Sequence, residues 1–261
     1  MNSTLAATMG AVTTLWWRDI VRFYRQRSRI VGALATPLIF WLLLGSGFSG
    51  SFRAEGNYAT FFYPGVMVMI VLFTAIFSTI SVIEDRREGF LQGVLVAPIS
   101  RGAIVAGKVL GGSTLALGQA ALLLAAIPWL GLRPGASGLA LALLVLTLIA
   151  LALTALGFII AWQLDSTQGF HAIMNLVLMP MWLLSGAFFP PTGAAGWMRP
   201  LIAVNPLTYG VAALREALAP GAAGTDAPSF GLALGVTAAF ALVTFLAARA
   251  LAERPLDARL A

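Results

Sequence analysis

Six stretches of this chain are long, apolar and free of Asp, Glu, Lys and Arg: 30–48, 61–83, 109–132, 139–162, 170–189 and 230–248. A helix needs about 20 such residues to cross a hydrocarbon core of about 30 Å. Backbone exposed to lipid has no water to bond, so a spanning segment of this kind must be helical. The sequence therefore predicts an all-α integral membrane protein with six transmembrane helices in one domain, 30–251. An N-terminal segment, 1–29, precedes the domain and a short tail, 252–261, follows it.

Composition agrees. Charged residues make up 10% of the chain and hydrophobic ones 59%, against roughly 25% charged in a soluble domain. The net charge of +6 does not point to nucleic acid, because the basic residues sit at the ends of the apolar runs and form no basic domain of their own. They read as topology signals. Twelve of the 16 fall in segments on the side of the N-terminus, and only Arg53, Arg133, Arg199 and Arg215 fall on the other. The positive-inside rule then places both termini in the cytoplasm. There is no cysteine, which excludes disulfides and thiolate metal sites.

Residues 1–29 lack the form of a cleavable signal peptide and read as an amphipathic helix. Leu5, Met9, Val12, Trp16, Ile20 and Phe23 recur at steps of three and four, and Arg18, Arg22, Arg25 and Arg29 do the same on another face. This pattern predicts a helix lying in the membrane interface with its arginines toward anionic headgroups. The longest segment on the far side, 190–229, is too apolar for a solvated loop, yet each of its pieces is too short to cross. Two short re-entrant helices, one ending before Asn205-Pro206 and one over 207–218, fit it best.

The densest charge is Glu84-Asp85-Arg86-Arg87-Glu88-Gly89, between spans two and three. A short helix over Gly89–Ala97, ended by Pro98, would offer Phe90, Leu91, Val94 and Leu95 to a groove on a partner. Nearby, Gly102 to Lys108 imitates the start of a phosphate-binding loop, but Val109 stands where Ser or Thr should follow. No nucleotide site is expected; Gly107 and Gly111 read as small residues for close helix contact. His171, the only histidine, reads as an interfacial polar residue beside Asp165. The spans offer Thr74, Ser78, Thr79, Gln119, Thr147, Thr154, Asn175 and Ser185, which suit bonding between helices. They contain no Ser/His/Asp set, paired carboxylates or metal-binding constellation, so neither catalysis nor a cofactor is expected.

Two blocks resemble the ABC-2 type transporter permeases. The first is Glu84-x3-Glu88-Gly89-x-Leu91-x3-Leu95-x2-Pro98-x-Ser100, followed by Gly107-Lys108-x-Leu110; the second is Asn205-Pro206-Leu207-Thr208-Tyr209-x4-Leu214-Arg215. The six-span form is most similar to the drug-resistance and nodulation-type exporters. The resemblance implies that 84–108 is a cytoplasmic coupling loop in which Glu84, Arg87, Glu88, Gly89, Phe90, Leu91, Leu95 and Pro98 meet a separate ABC ATPase subunit, present in two copies. It implies that Trp16, Arg18, Arg22 and Arg25 of the interfacial helix help hold that subunit. It also implies a second permease copy, alike or different, with spans two and five lining a shared path. Asn205, Pro206, Tyr209 and Arg215 would belong to an outer gate. Phe90 and Gln92 depart from the usual Thr and Glu.

The function expected is a membrane permease subunit of an ATP-driven exporter in the bacterial inner membrane. Its substrate would be amphiphilic, lipid-like or drug-like, because the walls are apolar and no charged ring selects ions. An ion-coupled secondary transporter, which should carry an intramembrane carboxylate and internal symmetry, and a non-transporting membrane anchor or assembly protein are the alternatives.

Overall fold

The computed structural model describes residues 2–48, 58–97, 99–221 and 227–254, with side chains from Thr8 onward. Pro98, Arg53, Arg259 and the Leu5 side chain lie outside the described residues, as does the tail from 255. Among the described residues the regular structure is entirely helical. Helix α1 (Asn2–Arg25) is separated from α2 (Arg27–Gly47) by Gln26 alone. Then come α3 (Tyr58–Arg87), the short α4 (Phe90–Val96) and α5 (Arg101–Ala126), which closes in a 3₁₀ turn at Ile127–Leu130. Helix α6 is Ala136–Gln163, and α7 is Thr167–Trp182, prolonged by a π-helical turn at Leu183–Ala187. Two short helices, α8 (Met198–Val204) and α9 (Pro206–Leu218), precede α10 (Phe230–Glu253). Six of these helices are long and apolar enough to cross a membrane.

Helix boundaries differ from those read in the sequence chiefly for one reason. A hydropathy reading stops at the first charge, whereas a helix does not. Glu84 to Arg87 form the last turn of α3 and are not a loop. Helix α5 starts at Arg101, about two turns before 109. Its start is fixed by the Ser100 side chain, which accepts a bond from the Ala103 amide at 3.2 Å. The second short pair forms where its signals sit. Asn205 Oδ1 accepts from the Leu207 amide at 3.0 Å and Pro206 takes the first helical position, so the Asn-Pro pair both ends α8 and opens α9.

Helix α3 is the axis of the bundle. Every residue from Val66 to Leu72 is inaccessible, as befits a helix that is apolar all round and enclosed by others. It packs against α2, α5, α6 and α7, while α10 lies on α6 and α9. Lipid tails are as apolar as these side chains, so association rests on close packing and polar contacts across helices. The Thr74 hydroxyl lies 2.7 Å from Gln119 Oε1 between α3 and α5, and Tyr63 Oη donates to Leu123 O at 2.7 Å. As the sequence suggested, Gly107 and Gly111 serve close approach, and the partner is α1. A Cβ on Gly107 would stand 2.8 Å from Leu15 Cβ, and one on Gly111 3.2 Å from Asp19 Cβ.

Candidate functional site

The bundle has one charged end, built from α1, the close of α3, α4 and the start of α5. Asp85, in the last turn of α3, is fully buried. Its carboxylate accepts Arg18 through both terminal nitrogens (2.8 and 2.6 Å), Arg22 Nη1 (2.6 Å) and Lys108 Nζ (2.5 Å). Lys108 Nζ also donates to Asp19 Oδ1 at 2.8 Å and Ser81 Oγ at 3.3 Å. Next to Asp85, Glu84 accepts Arg29 and stands 3.0 Å from Arg22 Nη2, which also reaches Glu88 Oε1 at 2.9 Å. Four cations thus face four carboxylates. Burying charges costs several kcal/mol each unless geometry and hydrogen bonding are complete, and here each buried charge meets an opposite one. Burial pushes the Asp19 carboxyl above the usual range against the pull of Lys108, and the bond to Asp85 raises the Arg18 guanidinium.

These contacts change the expected orientation of the first helix. Arg18, Arg22 and Arg29 turn toward the carboxylates at the acidic end of α3, and only Arg25 of that row is exposed. Trp16 donates to Thr114 Oγ1 on α5 at 3.0 Å. The face left open carries Met9, Trp17 and Tyr24.

The other side of the α3 terminus is held as well. Arg86 donates to Trp162 O (2.5 Å), Leu164 O (3.1 Å) and Asp165 Oδ1 (2.9 Å), and Arg87 Nε to Asp165 O (2.8 Å). Asp165 is therefore taken by α3 and does not pair with His171, whose ring lies edge-on to Phe77 at 5.9 Å. Gly89 then turns the chain with φ +76°, a conformation open to glycine at little cost. Beyond it α4 forms where the sequence predicted a short helix, with Ala97 extended at its end. Leu91 points inward and is buried, and Phe90 lies under the Arg18 guanidinium at 3.6 Å. Val94 and Leu95 are half-buried against the core, so the open face of α4 is Gln92, Gly93 and Val96, not the leucines. The phosphate-loop look-alike, 102–108, is interior helix of α5.

At the opposite end, Arg215 on α9 is buried. It donates to Gly186 O at 3.0 Å and reaches Phe61 O at 3.5 Å, with its guanidinium 4.2 Å above the Phe61 ring. Asn205 Nδ2 donates to Met181 O at 2.6 Å, and Tyr209 Oη to Ala203 O at 2.9 Å. Asn205 thereby ties the start of α9 to the end of α7, and Arg215 ties α9 to the π-helical turn beyond it. Asp19, Ser81 and the buried roles of Asp85 and Lys108 were missed in the sequence. The available signal was that Asp19 is the only acid in the first 54 residues and Lys108 the only lysine anywhere.

A bundle of six helices long and apolar enough to cross a membrane, with a cluster of paired charges at one end and short helices at the other, defines a polytopic membrane protein. The ABC-2 type transporter model matches residues 10–219, and the chain belongs to that family. It is 28% identical over 222 residues to the daunorubicin resistance ABC transporter permease protein DrrB1 of Streptomyces coeruleorubidus, covering 81% of this chain and 76% of that one. It is also 28% identical over 253 residues to nodulation protein J of Rhizobium leguminosarum bv. viciae, covering 93% of each. The chain is accordingly a membrane permease subunit of an ABC exporter, and family membership implies partnership with an ABC ATPase subunit.

Proposed function

We propose that two copies of a separate ATPase subunit dock on α4 and drive the export of an amphiphilic substrate through a pair of permeases. The observation that carries this reading is the seating of α4. Leu91 and Phe90 fix it to α1 and to the buried end of α3, while Gln92, Gly93 and Val96 stand open to a partner. A push on that face is delivered to the central helix of the bundle. Glu84, Arg87, Glu88, Gly89, Leu95 and Pro98 complete the coupling segment, and ATP is hydrolysed on the partner chain.

The path runs between the two copies along spans two and five. Helix α3 is enclosed except for a half-buried stripe that includes Phe73 and Phe77, and α7 beside it exposes Asn175, Leu176 and Val177. These surfaces favour a hydrophobic or amphiphilic cargo, as does the similarity to a daunorubicin resistance permease. Helices α8 and α9 re-enter the outer leaflet and cap the path, with Asn205, Pro206, Tyr209 and Arg215 in the gate. The protein sits in the inner membrane with both termini cytoplasmic, and α1 lies in the interface through Trp17, Tyr24 and Arg25, helping to hold the ATPase.

The test is a mild-detergent pull-down of the chain from its host, with mass spectrometry of what co-purifies, repeated without residues 88–97. A P-loop ATPase that appears with the intact chain and disappears with the deletion supports the coupling site. Absence of any ATPase, under conditions that keep other membrane complexes together, sinks it. Transport that survives ATP depletion but collapses with an uncoupler would install ion coupling in its place.

A further inference from the structure

We infer that Asp19, Asp85 and Lys108 form a joint that stays closed through the whole transport cycle, so that α1, α3 and α5 move as one body. The inference rests on the coupling reading above and names the positioning residues that spread a push on α4 beyond α3. It follows from how completely the joint uses its bonding capacity. An ammonium has three donors and an ionised carboxylate about four acceptor sites. Lys108 Nζ meets three oxygens, on Asp19, Asp85 and Ser81. Asp85 receives four N–H groups, two on each oxygen: Arg18 and Arg22 on Oδ1, Arg18 and Lys108 on Oδ2.

On Asp85 and Lys108 nothing is left for water to take over. Asp85 is inaccessible, and Lys108 and Asp19 are 5% and 6% exposed. Drawing α5 away from α1 and α3 would strand the Lys108 ammonium and leave Asp19 without its close partner in a nearly dry site. The backbone approach reinforces this, because α1 sits directly over Gly107 and Gly111. On the opposite side of the α3 terminus the arrangement differs. Asp165, which accepts Arg86, has a side chain 72% exposed, so water can replace that bond. The other acceptors of Arg86 are the carbonyls of Trp162 and Leu164, so no carboxylate is left buried there when it moves. Motion of α3 relative to the α6–α7 turn is therefore the easier movement, and the α1–α3–α5 side travels together.

Because Lys108 is the only lysine, its reactivity reports on the joint directly. The reconstituted permease–ATPase complex is treated with a small acetylating ester at rest and during ATP turnover, and modification at residue 108 is read by peptide mass spectrometry. Lys108 is expected to stay unmodified in both states and to react only after denaturation; modification that tracks turnover overturns the closed joint. Two variants separate positioning from simple packing. Lys108→Met leaves a surplus buried carboxylate, and Lys108→Met with Asp19→Asn restores charge balance. The double variant is expected to recover membrane yield while substrate moved per ATP falls about ten-fold, and Lys108→Arg to retain part of it. A double variant with the coupling ratio of the unaltered chain reduces the joint to packing and overturns the inference. If the unaltered complex hydrolyses ATP without ATP-driven transport, the coupling reading itself has failed, and this result is distinct from a joint that opens in a transporting complex.

Discussion

Arg215 shows how a single side chain acts at the end opposite the charged cluster. It is buried, and no carboxylate accepts it among the bonds of the described residues. Its Nη2 donates to two carbonyls and its guanidinium lies over an aromatic face, while Nε has no acceptor among the described residues. One carbonyl, Gly186 O, belongs to the π-helical turn, where the i→i−4 ladder is broken and an outside donor is wanted. Arg215→Ala strands that carbonyl, which is expected to cost about 1–3 kcal/mol, while the proposed coupling segment, 84–97, is untouched. Thermal denaturation in detergent should therefore fall while ATPase capture stays normal; lost capture would contradict the placement. The sequence marked Arg215 only through a motif resemblance, and it marked Asp19 not at all. Both act through partners distant in the chain: Asp19 through Lys108, 89 residues on, and Arg215 through Gly186, 29 residues back. Local periodicity shows which face a residue occupies but carries no signal for that kind of pairing.

At the scale of elements, apolar runs and cap chemistry were legible, and the consequences of paired charge were not. The six spans, the short helix after Gly89 and the break at Asn205-Pro206 each follow from a local rule, and each is present. Glu84 to Arg87 looked like a loop because four charges in a row are costly in isolation. Once Arg18, Arg22, Arg29 and Asp165 are supplied from elsewhere, the same residues continue α3 by a full turn. The open face of α4 was likewise misread, since alternation within seven residues cannot say which side a neighbouring helix will cover. Glu88 now has a defined position: it is more than half exposed, at the junction of α3 and α4, with its carboxylate on Arg22. Glu88→Lys places a cation against Arg22 and alters the rim that a partner would meet. The chain should still insert at normal yield, because an exposed pair contributes only about 0–1 kcal/mol. ATP-driven transport should be lost, and ATPase capture weakened. Normal transport by that variant would remove Glu88 from the coupling surface.

For the whole molecule, the distribution of charge decides which way the bundle sits, and pairing does not weaken that signal. Arg18, Arg22, Arg29 and Lys108 are neutralised by carboxylates at the charged end, so the net charge there is smaller than the count of arginines suggests. The orienting rule is nevertheless one of Lys and Arg near the spans, to which Asp and Glu contribute little. Twelve basic residues on the α4 side against four on the other therefore predict α4 in the cytoplasm and the α5–α6 turn outside. The chain reports this cleanly because it contains no cysteine of its own. Val96, 86% exposed at the end of α4, and Trp129, 90% exposed in the turn after α5, mark the two ends without touching either ionic cluster. In intact cells a membrane-impermeant maleimide should label Trp129→Cys, and it should reach Val96→Cys only after permeabilisation. The reverse pattern would turn the bundle over, placing α4 where no ATP is available and removing the ATPase from the proposed mechanism. Labelling of both without permeabilisation would mean that the six helices do not separate their ends across a membrane in the order the fold requires.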